Sequence, residues 1–236
     1  MKVLIYCKVW KRPRITQICY LGILRMQDTL KEFGIDTEVL IIASEDDHVE
    51  MALKHGFNVF NTENSPVGTK QNYGLIESLD YEYDFLMEMG SNNLVSDSYI
   101  DRWVIEAMKG TALFGSNVFY CLLDNKEITR FKCRRRYLSG VGRGIRRDIL
   151  EKVYDQAGIL CEPHKKKGLD GSTRSLIESY TGETPTVIAE GEDLAVLDIK
   201  SGEDINKHTT AKGAKPTEFG LDDLKNQFPE VKHLFI

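Results

Sequence analysis

Residues 1–47 read MKVLIYCKVWKRPRITQICYLGILRMQDTLKEFGIDTEVLIIASEDD, and their pattern decides the fold. Val3 to Cys7 is a short apolar run followed by turn material, the signature of a strand buried on both faces. Pro13 opens a helix, since proline is tolerated where a first turn leaves its N–H groups unpaired. Ile15, Ile18, Gly22, Met26, Leu30 and Phe33 recur at helical spacing, and Gly34 closes the helix as a left-handed cap. Thr37 to Ala43 reads as a second buried strand. Ser44 is then expected to cap a helix that runs to about His55, with Asp47 three residues on.

The alternation continues downstream. Phe57 to Phe60 reads as a strand, Lys70 to Leu79 as a helix after the turn signals at Ser65-Pro66 and Gly68, Tyr83 to Met87 as a strand, and Asp97 to Met108 as a helix. Strand and helix in turn, with short links, require parallel strands joined by crossover helices. Ligands of such open sheets bind beyond the carboxyl ends of the strands. The site is therefore expected in the segments 7–14, 44–47, 61–70 and 89–96.

The second half follows another pattern. Thr111 to Leu123 and Ile128 to Lys132 read as the two arms of a β-hairpin. A basic run leads into SGVGRGIRRDIL (139–150), read as a glycine-rich loop and a helix from about Ile145 to Tyr154. Leu169 to Tyr180 is helical in pattern and Thr186 to Ile199 strand-like. From Lys200 the chain is polar and expected to be irregular, ending in a short helix near Leu221 to Gln227.

The totals set bounds. A chain of 236 residues, 42% hydrophobic and 28% charged, suits one large α/β domain. A net charge of −5 argues against a general nucleic-acid binder and leaves room for a local basic patch. Five scattered cysteines without a CxxC pair point to reduced thiols rather than disulfides or structural zinc. Val3 to Cys7 is too short for a signal peptide's apolar core, and no stretch reaches the length of a membrane span, so a cytoplasmic protein is expected.

Several nucleotide motifs are excluded by spacing. GVGRG (140–144) has isoleucine where GxGxxG needs its last glycine, and it does not follow the first strand. No GxxxxGK[ST] and no GxSxG occurs. The glycine-rich N-terminal loop of sugar-phosphate nucleotidyltransferases is also missing.

What remains resembles the GT-A glycosyltransferases, over roughly residues 2 to 200. KVWKRP (8–13) is similar to the loop after the first strand that cradles the nucleotide base, with Lys8, Val9 and Arg12 in matching places. Ser44 and Glu45 stand where that family carries an acidic residue on the base. In NTENSPVGTKQNYGL (61–75), Lys70, Asn72 and Gly74 match a segment whose lysine compensates diphosphate charge. In YDFLMEMGSNNLVSDSYID (83–101), Phe85, Leu86, Leu94, Ser96 and Tyr99 match the flanks of the acidic Asp-x-Asp motif, but Gly90-Ser91-Asn92-Asn93 replaces the acids. Those acids hold Mn²⁺ or Mg²⁺, because hard cations prefer anionic oxygen. Three readings stay open: a metal held through Asn92 or Asn93 with help from Glu88, basic side chains in its place, or a degenerate donor site. His208, in a segment (LDIKSGEDINKH, 197–208) similar to one that closes over the donor, is the further candidate metal ligand.

The resemblance also implies an acceptor side. Gly142, Arg143 and Arg147 roughly fit a glycine-rich segment with two arginines, and Arg130 to Arg147 concentrates basic residues suited to phosphate; a solvated hairpin edge explains the same charges. Asp170, in Gly168-Leu169-Asp170-Gly171-Ser172, matches the carboxylate that serves inverting members as general base, and reads equally as a helix N-cap. The organisation implied is a single GT-A-like domain over 1–200, with a donor half (1–110) built on a mostly parallel Rossmann-like sheet and an acceptor half (111–200), followed by a tail (201–236). The activity implied is transfer of a sugar from a nucleotide-sugar, a UDP-sugar first, to a hydroxyl on a glycan or on a modified base of phage DNA; for phage origin the compartment is the host cytoplasm. A non-catalytic nucleotide- or nucleic-acid-binding module on the same fold is the alternative.

Overall fold

The structure, a computed structural model, describes residues 1–64, 66–123, 126–133, 137–189, 195–201 and 214–235. The chain begins β1 (Lys2–Lys8), α1 (Pro13–Glu32), β2 (Asp36–Ala43), α2 (Asp46–Lys54), β3 (Asn58–Asn61), α3 (Val67–Ser78) and β4 (Phe85–Gly90). It continues through β5 (Asn93–Val95), α4 (Asp97–Met108), β6 (Leu113–Ser116), β7 (Val118–Leu122), β8 (Ile128–Lys132) and β9 (Arg143–Arg146). The last elements are α5 (Arg147–Ala157), α6 (Leu169–Thr181), β10 (Thr186–Ala189), β11 (Val196–Ile199), β12 (Ala214–Pro216), α7 (Leu221–Gln227) and a 3-10 turn over Pro229–Leu234.

The main sheet has the order β10-β6-β9-β4-β1-β2-β3. Its strands run parallel except β9, which lies antiparallel between β4 and β6. The buried runs of β1 and β2 divide their side chains by the two-residue period of a strand. Val3, Ile5, Cys7 and Ile41 face α1 and α4 on one side, with Tyr20, Ile23, Met26 and Trp103. Leu4, Tyr6, Leu40 and Ile42 face α3, α5 and α6 on the other, with Leu75, Leu150 and Ile177. Helices on both faces of a mostly parallel sheet are the expected Rossmann-like arrangement. A second sheet, in the order β12-β8-β7-β11-β5, packs Leu94, Tyr120, Leu122 and Leu197 against Ile18 of α1.

Four expectations need correction. Residues 111–123 are not one hairpin arm: the chain leaves the main sheet after Ser116 and enters the second at Val118, whose N–H donates to the Ser116 hydroxyl at 3.0 Å. That local side-chain turn frees the backbone to change sheets. Residues 186–199 are likewise shared between β10 in one sheet and β11 in the other. The helix expected from Ile145 begins at Arg147, because Arg143–Arg146 fills the gap between β4 and β6. Ser44 does not cap α2; Glu45 occupies the cap position, without a side-chain capping bond.

Helix α3 also starts earlier than Lys70, at Val67, and Gly68 sits in its first turn. A Cβ there would lie 2.5 Å from the Glu162 carbonyl, and Gly68 N–H donates to the Lys165 carbonyl at 2.8 Å. Glycine is required for that close approach.

Candidate functional site

A cleft of about 370 Å³ opens at the carboxyl ends of β1 and β4, between the two sheets. Lys8 lines it from the end of β1, Trp10 and Arg12 from the β1–α1 loop, Asn92 from the β4–β5 turn, Asn93 from the start of β5, and Asp170 from α6. Asp198 and Lys200 line it from the end of β11, and Phe119 and Tyr137 add aromatic wall.

Glu88, one residue before Met89 near the end of β4, is buried beneath this cleft and takes four charge-assisted or amide hydrogen bonds. Its Oε1 accepts from Lys8 Nζ at 2.6 Å and Gln71 Nε2 at 3.0 Å. Its Oε2 accepts from Arg143 Nε at 3.1 Å and from Arg143 Nη2. Burial alone would raise this carboxyl's pKa; the Arg143 and Lys8 charges outweigh it and hold the group ionised, well below the usual carboxylate range. Arg143 is itself fully buried on β9, and its Nη1 donates to the Asp170 carbonyl at 2.8 Å.

Asp170 lies in the first turn of α6. The cap position belongs to Gly168, at φ 71° and without a side-chain capping bond, so Asp170 is not the N-cap. Its Oδ2 accepts from Gly140 N–H at 3.0 Å. A Cβ on Gly140 would lie 2.4 Å from Oδ1, so the glycine is what lets this carboxylate sit against the loop.

On the opposite wall, Arg12 Nη2 donates to Ser91 Oγ at 3.1 Å. Lys11 and Arg12 are both left-handed, at φ 52° and 56°, a conformation costing about 1–2 kcal/mol per non-glycine residue. Glu45 helps to hold it: its Oε2 accepts from Lys11 N–H at 2.7 Å and lies 2.9 Å from His48 Nδ1. Asn92 Nδ2 donates to the Asp198 carboxylate and to the Ile199 carbonyl at 2.9 Å, and Lys200 Nζ pairs with Asp198 Oδ2 at 2.5 Å.

The remaining predicted residues take other places. Lys70 is buried behind the cleft wall, where Nζ donates to the Val9 carbonyl and to Ser44 Oγ at 2.9 Å. It braces the loops after β1 and β2 and is not among the residues lining the cleft. Ser44 and Glu45 line a neighbouring open recess with Trp10, Glu63 and Asn64, and Trp10 borders both spaces. Gly142 contributes backbone alone: its N–H donates to the Glu88 carbonyl at 2.7 Å and its carbonyl accepts from Tyr99 OH at 2.9 Å. Arg147 is not brought to the cleft. It sits by the amino end of β4, donating to the Tyr81 and Leu79 carbonyls at 2.6 and 3.0 Å and pairing with Glu151. His208 lies outside the described residues, as do 134–136 of the basic run.

No family model matches this chain, and no curated protein matches it. Among solved structures it is similar to S. aureus TarS, with TM-score 0.56 and 15% identity over 86% of this chain and 37% of that one. The 1–349 form of TarS gives TM-score 0.56 and 14% identity, over 84% of this chain and 60% of that one. The bifunctional IspDF of Campylobacter jejuni gives TM-score 0.51 and 14% identity, over 82% and 50%. The chain thus spans between about a third and three fifths of these structures. The fold is GT-A-like. At these identities the likeness is one of architecture.

Among the described residues, the turn at Asn92 offers few anionic oxygens to a divalent cation. Hard cations want several anionic oxygens. Asn92 turns its amide nitrogen toward Asp198, whose carboxylate is paired with Lys200. Among the described residues no three His, Cys, Asp or Glu side chains converge on one point.

Sequence reasoning gave Trp10, Asp198 and Lys200 no individual role within the segments that carry them, passed over Gln71, and gave Glu88 only a supporting part. A signal was present for two of them. Glu88 interrupts the apolar run FLMEM (85–89) and Asp198 the run AVLDI (195–199), and a charge inside a buried strand is retained only with partners.

Proposed function

We propose that this chain transfers a sugar from a nucleoside-diphosphate sugar, a uridine one first, to a hydroxyl acceptor, with Asp170 as general base. The observation that carries the reading is the shared cleft: the Asp170 carboxylate lines the same space as Arg12 and the Asn92–Asn93 turn, beyond the carboxyl ends of β1 and β4. The architecture shared with S. aureus TarS agrees with it. The acceptor oxygen attacks the anomeric carbon, its proton passes to Asp170, and the bond from that carbon to the diphosphate oxygen breaks, so the diphosphate leaves with the electron pair. Positioning and charge stabilisation of the leaving diphosphate supply the rest.

A glycan hydroxyl is the acceptor we favour over a base in DNA. Arg143 is buried on Glu88, and Arg146 and Arg147 are paired with Asp148 and Glu151 beside a different recess, so these three do not form a phosphate track along the cleft. Phe119 and Tyr137 offer flat apolar faces instead.

The test is calorimetric titration and donor turnover with a panel of UDP- and GDP-sugars, with oligosaccharides and modified duplex DNA as acceptors. Asp170→Asn is expected to lower turnover by roughly 10²–10³-fold while leaving donor affinity within about twofold. Failure of the wild-type chain to bind any of these donors would end the proposal, and binding without turnover would return the site to the non-catalytic nucleotide-binding reading.

A further inference from the structure

We propose that the cleft receives the donor diphosphate without a divalent cation, Lys200 and Arg12 supplying the positive charge that a metal otherwise provides. The inference rests on the glycosyl-transfer reading above and concerns the same site.

Three observations converge on it. First, the turn where carboxylates are expected carries Asn92 and Asn93, and the Asn92 amide is held by Asp198 and the Ile199 carbonyl. A neutral amide in that position offers a metal one weak oxygen at most. Second, β11 delivers Asp198 and Lys200 directly onto this turn, with Ile199 N–H donating to the Asn92 carbonyl at 2.8 Å and Lys200 Nζ 2.5 Å from Asp198. An ammonium thus lies beside the turn that stands in place of the Asp-x-Asp acids of the enzymes this sequence resembles. Third, every carboxylate among the described residues lining the cleft is already compensated: Glu88 by Lys8 and Arg143, Asp198 by Lys200, and Asp170 by the Gly140 N–H with the Arg143 charge nearby.

Among the described residues the charges favour an anion over a cation as guest. Lys8, Arg12 and Lys200 line the cleft against Glu88, Asp170 and Asp198, and Arg143 adds one positive charge beneath the floor. Among the described residues a dication entering would meet carboxylates that already have counter-charges or donors, and would be repelled by the ammonium and guanidinium groups that attract a diphosphate. Arg12 is already aimed across the turn through Ser91 Oγ, and its planar fork suits phosphate oxygens.

The experiment titrates UDP and GDP into the wild-type chain in EDTA, and again in Mn²⁺. The expected result is an affinity in EDTA within about twofold of that in Mn²⁺. Lys200→Met is expected to weaken nucleotide binding in EDTA about tenfold or more, the loss of one charge-assisted contact, and Lys200→Arg to restore most of it. A thermal midpoint for Lys200→Met close to wild type separates lost binding from lost folding; if it melts early, Lys200→Gln takes its place in the same titration. Binding that requires Mn²⁺, or that is unchanged in Lys200→Met, overturns the inference and leaves the transferase reading standing. No nucleotide binding under either condition overturns both.

Discussion

Lys70 shows what a single residue's depth does to its chemistry. The resemblance to GT-A enzymes implies a lysine reaching for phosphate, whereas its ammonium is buried between the Val9 carbonyl and Ser44 Oγ. Burial lowers its pKa to about 8, against the opposing pull of the Glu45 carboxylate. The unfolded chain keeps the ordinary value of 10.5, so between about pH 8 and 10.5 it holds a proton that the folded chain has lost. Stability from this group therefore rises with pH through that window and falls away again as pH drops through 8. Wild type minus Lys70→Met isolates the effect, because the other titrating groups are common to both. That difference in unfolding free energy, from urea midpoints, is expected to grow by about 2–3 kcal/mol between pH 7.5 and 10.5. Parallel stability curves for the two proteins would refute the buried, depressed lysine. Sequence spacing places Lys70 on α3; it carries no information on which side of a wall the side chain ends.

At the scale of elements, β1 to β4 and α4 were legible, the three-residue β5 between them was not, and the stretch from 111 to 200 was much less so. Strands β1, β2 and β4 are apolar runs of six to eight residues separated by helices, so the local period names each element and the parallel rule arranges them. The later strands β6, β9, β10 and β11 are four residues each, and each pairs with partners distant in sequence. Nothing in a four-residue window distinguishes a strand of the main sheet from one of the second. The entry to β9 illustrates this. Gly142 turns the chain at φ 67°, and a Cβ there would lie 2.6 Å from the Tyr99 ring. Gly34 has nearly the same φ, 69°, with open space around it. Gly34→Ala is thus expected to cost only the backbone term, about 1 kcal/mol, and Gly142→Ala about 2–4 kcal/mol because Tyr99 must also move. Equal losses in chemical denaturation would mean that Tyr99 yields freely and does not fix the turn beneath Glu88.

The whole molecule raises the question of where the domain ends. The sequence suggests a boundary near residue 200, since the chain turns polar there. The described part of the tail nonetheless returns to the body of the protein. Leu224, Phe228 and Val231 are fully buried in one apolar cluster with Ile18 of α1 and with Leu94, Tyr120 and Leu197 of the second sheet. Arg25 Nε donates to Glu230 at 2.6 Å while Arg25 Nη2 donates to the Val95 carbonyl at 2.6 Å, tying α1, the 3-10 turn and β5 together. β12 completes the free edge of β8. A few apolar residues in a polar segment give no period to read, yet they cover the outer face of the sheet that delivers Asp198 and Lys200 to the cleft. A large aromatic cut to alanine in such a site costs about 3–5 kcal/mol, a large part of the total for a domain. Phe228→Ala is therefore expected to lower stability by about that much, and a chain ending at residue 200 to lose its cooperative thermal transition and its nucleotide binding together. The check is a melt followed by near-ultraviolet circular dichroism, with nucleotide titration of the same samples. A chain of residues 1–200 that melts cooperatively near the full-length midpoint and binds nucleotide equally well would place the boundary at 200 and reduce the tail to an appendage. Retained folding with weakened binding would instead assign the tail to orienting β11, because the second sheet is the route by which its packing reaches Lys200.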